Sequence, residues 1–85
     1  MSLANRKQLR FLLTYMLRKA VISSELQSVG YDERNSVLEA EFRTGGVYRY
    51  FGVPPNVYAA LIAAPSKGRF FNTQIKPRYC CTRLE

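Results

Sequence analysis

Hydrophobic and polar residues alternate most clearly in the segment SVLEAEFR, residues 36–43. Leu38, Ala40 and Phe42 are spaced two apart and therefore share one face of an extended strand, with charged residues on the other face. This alternation predicts a half-buried antiparallel strand. The segments on either side, residues 25–32 and 47–53, predict two more strands, so the sequence predicts a three-stranded antiparallel meander.

The N-terminal segment has a helical rather than an extended pattern. Residues 3–20 contain no glycine or proline and are rich in good helix formers. Polar side chains recur three and four residues apart, and apolar residues fill most of the remaining surface. Residues 1–22 are therefore predicted to form a basic amphipathic helix. Three arrangements remain open for this helix. It packs on the domain, it joins a second subunit, or it lies on a membrane surface.

Two prolines mark the end of the predicted sheet. Pro54 and Pro55 stop the third strand and open a helix, because the first turn of a helix tolerates a missing N–H. Pro65 ends that helix, and Ser66 is suited to cap another. The predicted fold class is α+β, with an N-terminal helix, a three-stranded antiparallel β-meander and one or two C-terminal helices packed on one face.

The loop between the second and third strands decides which side chains face the core. A two-residue loop would place Arg49 opposite Phe42 in the core, where an unpaired guanidinium is costly. A three-residue loop over residues 44–46 instead pairs Phe42 with Tyr48 and Glu41 with Arg49. We favour the three-residue loop because it forms an aromatic pair inside and an opposite-charge pair outside.

That register assigns the side chains of the third strand to two faces. Tyr48 and Tyr50 are expected mainly in the core, with their hydroxyls at its edge. Arg49 and Phe51 are expected on the outer face of the sheet, together with Arg43.

The segment from Ser23 to Tyr79 resembles the KTSC domain family, which occurs at the C terminus of some lysyl-tRNA synthetases and as stand-alone bacterial proteins. The pieces that carry the resemblance follow one another in the family's order and spacing: SSELQSVGYD, VLEAEFRTGGVYRY with Tyr48-x-Tyr50, GVPPNVYAALIAA, and SKGRFFNTQIKPRY. The resemblance covers residues 23–79 and leaves the N-terminal helix and a tail, residues 80–85, outside it. Two alternatives remain open for the end of the chain from residue 78: it adds a short strand or it frays. Through the synthetases the resemblance implies a link to RNA, and to tRNA in particular.

Charge is distributed unevenly along the chain. The net charge is +7 over 85 residues. Residues 1–20 carry five basic side chains and no acid, residues 21–45 carry two basic and five acidic, and residues 46–85 carry six basic and one acidic. A basic domain favours anionic partners such as RNA, although the same charge also serves solubility.

Several classes of function are disfavoured by what the sequence lacks. It contains no histidine, which is the commonest general base near neutral pH, and no phosphate-binding or dinucleotide motif. Adjacent cysteines, Cys80 and Cys81, suit neither a relaxed disulfide nor a metal site. The apolar run over residues 11–17 is too short to span a bilayer. We therefore expect a cytoplasmic, non-catalytic domain without a cofactor, a metal or a transmembrane segment.

Two functions remain open from the residues alone. The first is RNA binding, because aromatic side chains beside a basic groove hold single strands. Its predicted contact residues combine cations around the last helix with the outer strand face: Lys67, Arg69, Lys76, Arg78, Arg43, Arg49 and Phe51. The second is protein interaction, with a homodimer formed through the apolar residues 9–17.

Overall fold

The structure, a computed structural model, describes residues 16–85 and contains one antiparallel sheet of five strands. The strands follow one another across the sheet in chain order: β1 (Lys19–Ala20), β2 (Leu26–Asp32), β3 (Val37–Phe42), β4 (Val47–Phe51) and β5 (Cys81–Arg83). Two helices lie between β4 and β5 in the chain, so the α+β class holds for the described residues.

The predicted three-stranded meander is wrong, because β1 and β5 add an edge strand on each side of it. The helix predicted over residues 3–20 is also wrong at its C-terminal end. There, Lys19 and Ala20 pair with Val29 and Ser28. Strand pairing along the open edge of β2 outweighs the helix propensity of this short stretch. Residues 1–15, with the rest of that prediction, lie outside the described residues.

The β3–β4 hairpin has the predicted faces but a different register. Glu39 lies opposite Arg49, and Ala40 lies opposite Tyr48. The predicted loop over residues 44–46 is therefore misplaced, because the pairing is shifted by two residues. The Phe42 N–H donates to the Gly46 carbonyl at 3.1 Å, so the three-residue loop lies over residues 43–45. Gly45 and Gly46 adopt φ values of 107° and 95° there, which favour glycine. A shift of two residues preserves which side chains share a face.

The helices cover one face of the sheet, which we call the helical face. Helix α1 (Pro55–Ala63) begins at the second proline, and Ala64 leaves it in an extended conformation just before Pro65. Helix α2 (Lys67–Phe70) is capped by the Ser66 side chain, which accepts from the Arg69 amide as its sequence position predicts, and it continues into a π-helical segment (Phe71–Ile75).

The hydrophobic core lies between this face and the helices. Its buried members come from both layers: Leu26, Val29, Leu38, Ala40, Tyr50, Val53, Leu61, Phe71 and Ile75. Phe71 packs edge-on against both Phe42 and Tyr50, with ring centroids 5.4 and 5.0 Å away. The π-helical segment is thereby fixed over the hairpin end of the sheet.

Candidate nucleic-acid interface

The opposite face of the sheet, which we call the back face, carries an ion-pair network around the buried Glu39. Glu39 is 3% exposed and accepts from Arg49 Nε at 2.8 Å and from Arg18 Nη1. Arg18 also donates to Ser28 Oγ at 3.0 Å, and Ser28 donates to Glu41 at 2.7 Å. All three salt bridges among residues 16–85 belong to this network. The charged side chains of the network therefore pair with one another.

The residues predicted on the outer face differ in their exposure and in their bonding. Arg49 is 8% exposed, so it lies within the sheet structure rather than on an open surface. Arg43 is exposed but bonded, since it donates to the Ser23 carbonyl at 2.6 Å and to Gln27 Oε1 at 3.0 Å. Phe51 is 44% exposed at the far end of β4. The structure therefore leaves these three residues apart rather than in one basic surface.

The cations around the last helix form a different environment, which we call the helical basic patch: Lys67, Arg69, Lys76 and Arg78. Lys67 is half-buried and donates to the Ala64 carbonyl at 3.1 Å. The other three are exposed, and their side chains form no salt bridge or hydrogen bond within residues 16–85. From residue 42 to residue 84 the sequence contains no aspartate or glutamate.

An aromatic cleft of about 330 Å³ opens beside this patch, at the hairpin end of the helical face. Its wall combines aromatic rings with charged and polar groups: Phe42, Tyr48, Tyr50, Lys76, Glu25 and Cys81. Tyr48 is half-buried, whereas Tyr50 is 2% exposed. The two tyrosines therefore belong to the core and also form part of a concave surface.

Charged side chains lie in the wall of this cleft and beside it. The Arg83 guanidinium lies 5.6 Å from the centroid of the Tyr48 ring, within the range of a cation–π contact. The Glu25 carboxylate accepts from Asn72 Nδ2 at 2.9 and 3.1 Å. Gly68 permits this approach, because a Cβ there would lie 3.0 Å from Glu25 Oε1. Lys76 and Glu25 thus place opposite charges in the wall of one cleft.

Burial also raises the pKa of the inner tyrosine, Tyr50. Desolvation raises the pKa of Tyr50 to about 12, with a further contribution from the neighbouring Cys81. An ordinary tyrosine hydroxyl is already protonated near neutral pH, so this shift affects only alkaline solutions.

Sequence reasoning missed three residues that matter here: Arg18, Glu25 and Arg83. Arg18 meets Glu39 across 21 positions of the chain, and Glu25 meets Asn72 across 47. Arg83 reaches Tyr48 only because β5 pairs with β4. The one local signal was Gly68, a glycine inside a helical segment, which indicates a close approach by another group.

Among residues 16–85, no group of three or more histidine, cysteine, aspartate or glutamate side chains is arranged to hold a metal ion. Cys80 and Cys81 are both free and exposed. Within the same residues, no helix has the length and apolar character needed to cross a membrane.

Comparison with known proteins places this geometry in a family. The family model described as the KTSC domain matches residues 22–79. A protein from Yersinia pestis, described as a KTSC domain protein, has a crystal structure that superposes with a TM-score of 0.80. It is 42% identical, and the match covers 84% of this chain and all of the Yersinia chain.

Two sequence relatives differ in size and context. A protein of uncharacterised function from Stutzerimonas stutzeri is 50% identical over 64 residues, which cover 75% of this chain and 90% of the relative. The lysine–tRNA ligase of Nostoc punctiforme is 37% identical over 79 residues, which cover 93% of this chain but 14% of the ligase. The chain is therefore similar to a small stand-alone protein and to one segment of a much larger enzyme.

Proposed function

We propose, from the premise that this chain belongs to the KTSC domain family, that it is a non-catalytic cytoplasmic domain that binds RNA, and tRNA in particular. The observation that carries the proposal is the helical basic patch, whose exposed cations have no acidic partner among the described residues. The similarity to a segment of a lysine–tRNA ligase supports RNA as the anion.

The arrangement of the patch suits a phosphate backbone. Lys67 begins helix α2 and Lys76 directly follows the π-helical segment, so the helical turns of both segments separate them. The cations are therefore spread along an edge rather than focused on one point. No aspartate or glutamate occurs from residue 42 to residue 84, so the acid that offsets part of their field is Glu25, whose carboxylate accepts from Asn72 and shares the cleft wall with Lys76.

Arg49 has no part in the proposed contact, because its guanidinium is buried and bonded to Glu39. Arg43 and Phe51 are secondary positions, since the first is held by Ser23 and Gln27 and the second lies at the other end of β4. The proposal therefore concentrates on Lys67, Arg69, Lys76 and Arg78.

The test is a titration with labelled tRNA and with single-stranded RNA at several salt concentrations. Neutralising three or four phosphates on a single strand predicts a slope of log K against log salt of about −2 to −3. Arg69→Gln, Lys76→Gln and Arg78→Gln should each weaken binding and reduce the slope by about 0.7.

Arg34→Gln is the matched control for these variants. Arg34 is equally exposed, but it lies in the turn between β2 and β3, at the opposite end of β3 from the cleft. The variant should leave binding almost unchanged. If Arg34→Gln weakened binding as much as Arg69→Gln, the affinity would reflect total charge and the helical basic patch would lose its role. If neither RNA bound at low salt, the proposed function would be wrong.

The alternative is a homodimer formed through residues 9–17. Most of that segment lies outside the described residues, but Leu17 is 85% exposed at its end and Ile22, nearby, is 95% exposed. A dimer held by apolar contacts would be nearly indifferent to salt. Its mass in solution would fall to that of a monomer when Leu13 and Met16 are made polar. A monomeric mass at working concentration would remove this alternative.

A further inference from the structure

The aromatic cleft has features that a phosphate-binding surface does not need. A patch that contacts only the backbone requires exposed cations, whereas this cleft adds a concave wall of aromatic rings, a cation and a carboxylate. Its volume of about 330 Å³ is at the lower end of the range of roughly 300–1,000 Å³ for small-molecule sites. Such a volume suits one ligand group rather than an extended surface.

We propose that the cleft binds a single unpaired nucleotide whose base carries an exocyclic amino group, such as cytidine. The base contacts Tyr48, its phosphate lies at Lys76 and its amino group donates to Glu25. This inference rests on the proposed function and names the part of the RNA that the domain reads.

The aromatic contact follows from the position of Tyr48. Tyr50 is fully covered, but Tyr48 is half-buried and lines the cleft, so part of its surface remains open. Arg83 lies against the same ring and adds a guanidinium on which a base is also able to stack. Stacking of this kind holds an unpaired base without requiring a particular sequence.

The preference for an amino group follows from Glu25. Asn72 holds the carboxylate at the cleft, and the two bonds from Asn72 leave further lone pairs open, because a carboxylate offers about four acceptor positions. A carboxylate accepts from the N4 amino group of cytosine, whereas uracil presents an O4 acceptor that it repels. Lys76 supplies the opposite charge in the same wall, where a phosphate binds.

The alkylation rates of the two cysteines allow binding at this site to be measured. Cys81 lines the cleft and pairs with Tyr50 across β4 and β5, whereas Cys80 does not line it. Single-cysteine variants, Cys80→Ser and Cys81→Ser, allow the alkylation rate of each thiol to be measured separately with N-ethylmaleimide. A nucleotide in the cleft should slow alkylation of Cys81 severalfold and leave that of Cys80 unchanged.

The experiment compares two probes of equal length, oligo(C) and oligo(U) of eight nucleotides, at physiological salt. Oligo(C) should bind about fivefold or more tightly than oligo(U) and protect Cys81. Glu25→Ala should bring the two affinities together. Tyr48→Leu should weaken oligo(C) binding at least about fivefold, whereas Tyr48→Phe, which keeps the ring, should retain it. Thermal unfolding of each variant separates lost binding from lost folding.

The outcomes distinguish this site from the helical basic patch. If both oligonucleotides bind equally, leave Cys81 unprotected and respond only to Arg69→Gln and Arg78→Gln, the cleft assignment is wrong and RNA binding stands. If neither oligonucleotide nor tRNA binds, the proposed function fails and the cleft assignment fails with it. Preference for oligo(C) with protection of Cys81 supports both.

Discussion

The two faces of the sheet are built from alternate residues of the same strands but bury opposite kinds of chemistry. The helical face packs Leu38, Ala40 and Tyr50 against the helices, and its hairpin end opens into the aromatic cleft. The back face buries Glu39 and Arg49, which lie directly opposite each other on β3 and β4. One face is held by apolar contact and the other by paired charges.

The difference shows what an alternating pattern determines. In an extended strand, alternation decides which side chains share a face, because successive residues point to opposite sides. It does not decide whether the polar side meets water. Here Glu39 and Arg49 on the polar face are buried, and their charges are tolerated because they pair with each other. The distinction matters for function, since a buried and paired arginine is not available to a phosphate.

The largest expected effect tests the helical face. Tyr50→Ala should lower the free energy of unfolding by about 3–5 kcal/mol, because the ring is fully buried and packs edge-on against Phe71. Tyr48→Ala is the matched change two residues earlier, and it should cost less, because this ring is half-buried and lines the cleft. Urea unfolding of both variants measures the difference. Equal losses would mean that the cleft side of Tyr48 is as tightly packed as the core.

The next effect tests the back face. Glu39→Gln removes the charge that faces Arg18 and Arg49, so it should destabilise the fold by about 3 kcal/mol. Glu41→Gln is the same substitution two residues later on the same face. It should cost less than about 1 kcal/mol, because its nearest salt-bridge contact is 4.0 Å away and partly exposed. Chemical unfolding compares the two, and a small loss for Glu39→Gln would show that the buried charges contribute little.

Sequence reasoning succeeded where a signal was local. It assigned Tyr48 and Tyr50 to the face of Leu38 and Phe42, and it placed the start of a helix at the pair Pro54 and Pro55, the second of which begins it. Both conclusions depend on periodicity or on the chemistry of one residue.

It failed where the signal was distant or too short. β1 has two residues and β5 has three, and neither length can show an alternating pattern, so β1 was missed and the tail stayed open between a short strand and a frayed end. The register of the hairpin was wrong by two residues because either register keeps the same faces. The cleft joins residues from Glu25 to Cys81, so no single segment contains its pattern. The back-face network depends on Arg18, whose segment was predicted as helix.

A smaller effect tests how the chain just before β1 packs against Gly30 of β2. Gly30 lies so close to the residues just before β1 that an added Cβ would sit 2.6 Å from the Leu17 carbonyl oxygen and 3.2 Å from Arg18 Cγ. Gly30→Ala should therefore displace β1 and cost about 1–3 kcal/mol, as overpacking does. Hydrogen exchange should accelerate at the Val21 amide, which donates to the Gln27 carbonyl, and remain slow in β4. Unchanged exchange at Val21 would show that β1 adjusts without detaching.

The smallest effect is a pH dependence of stability that arises from buried tyrosines on the helical face. Burial raises the pKa of Tyr50 to about 12 from an ordinary value of 10.0. Between these values the unfolded chain loses the phenolic proton while the folded protein keeps it, so stability should fall as pH rises from about 10 to about 12. The slope from one such group is at most about 1.4 kcal/mol per pH unit. Burial also raises the pKa values of Tyr31 and Tyr58, so Tyr50→Phe should reduce the slope without abolishing it. Urea unfolding at pH 8, 10 and 11.5 measures it, and an unchanged slope in Tyr50→Phe would contradict the assignment to Tyr50.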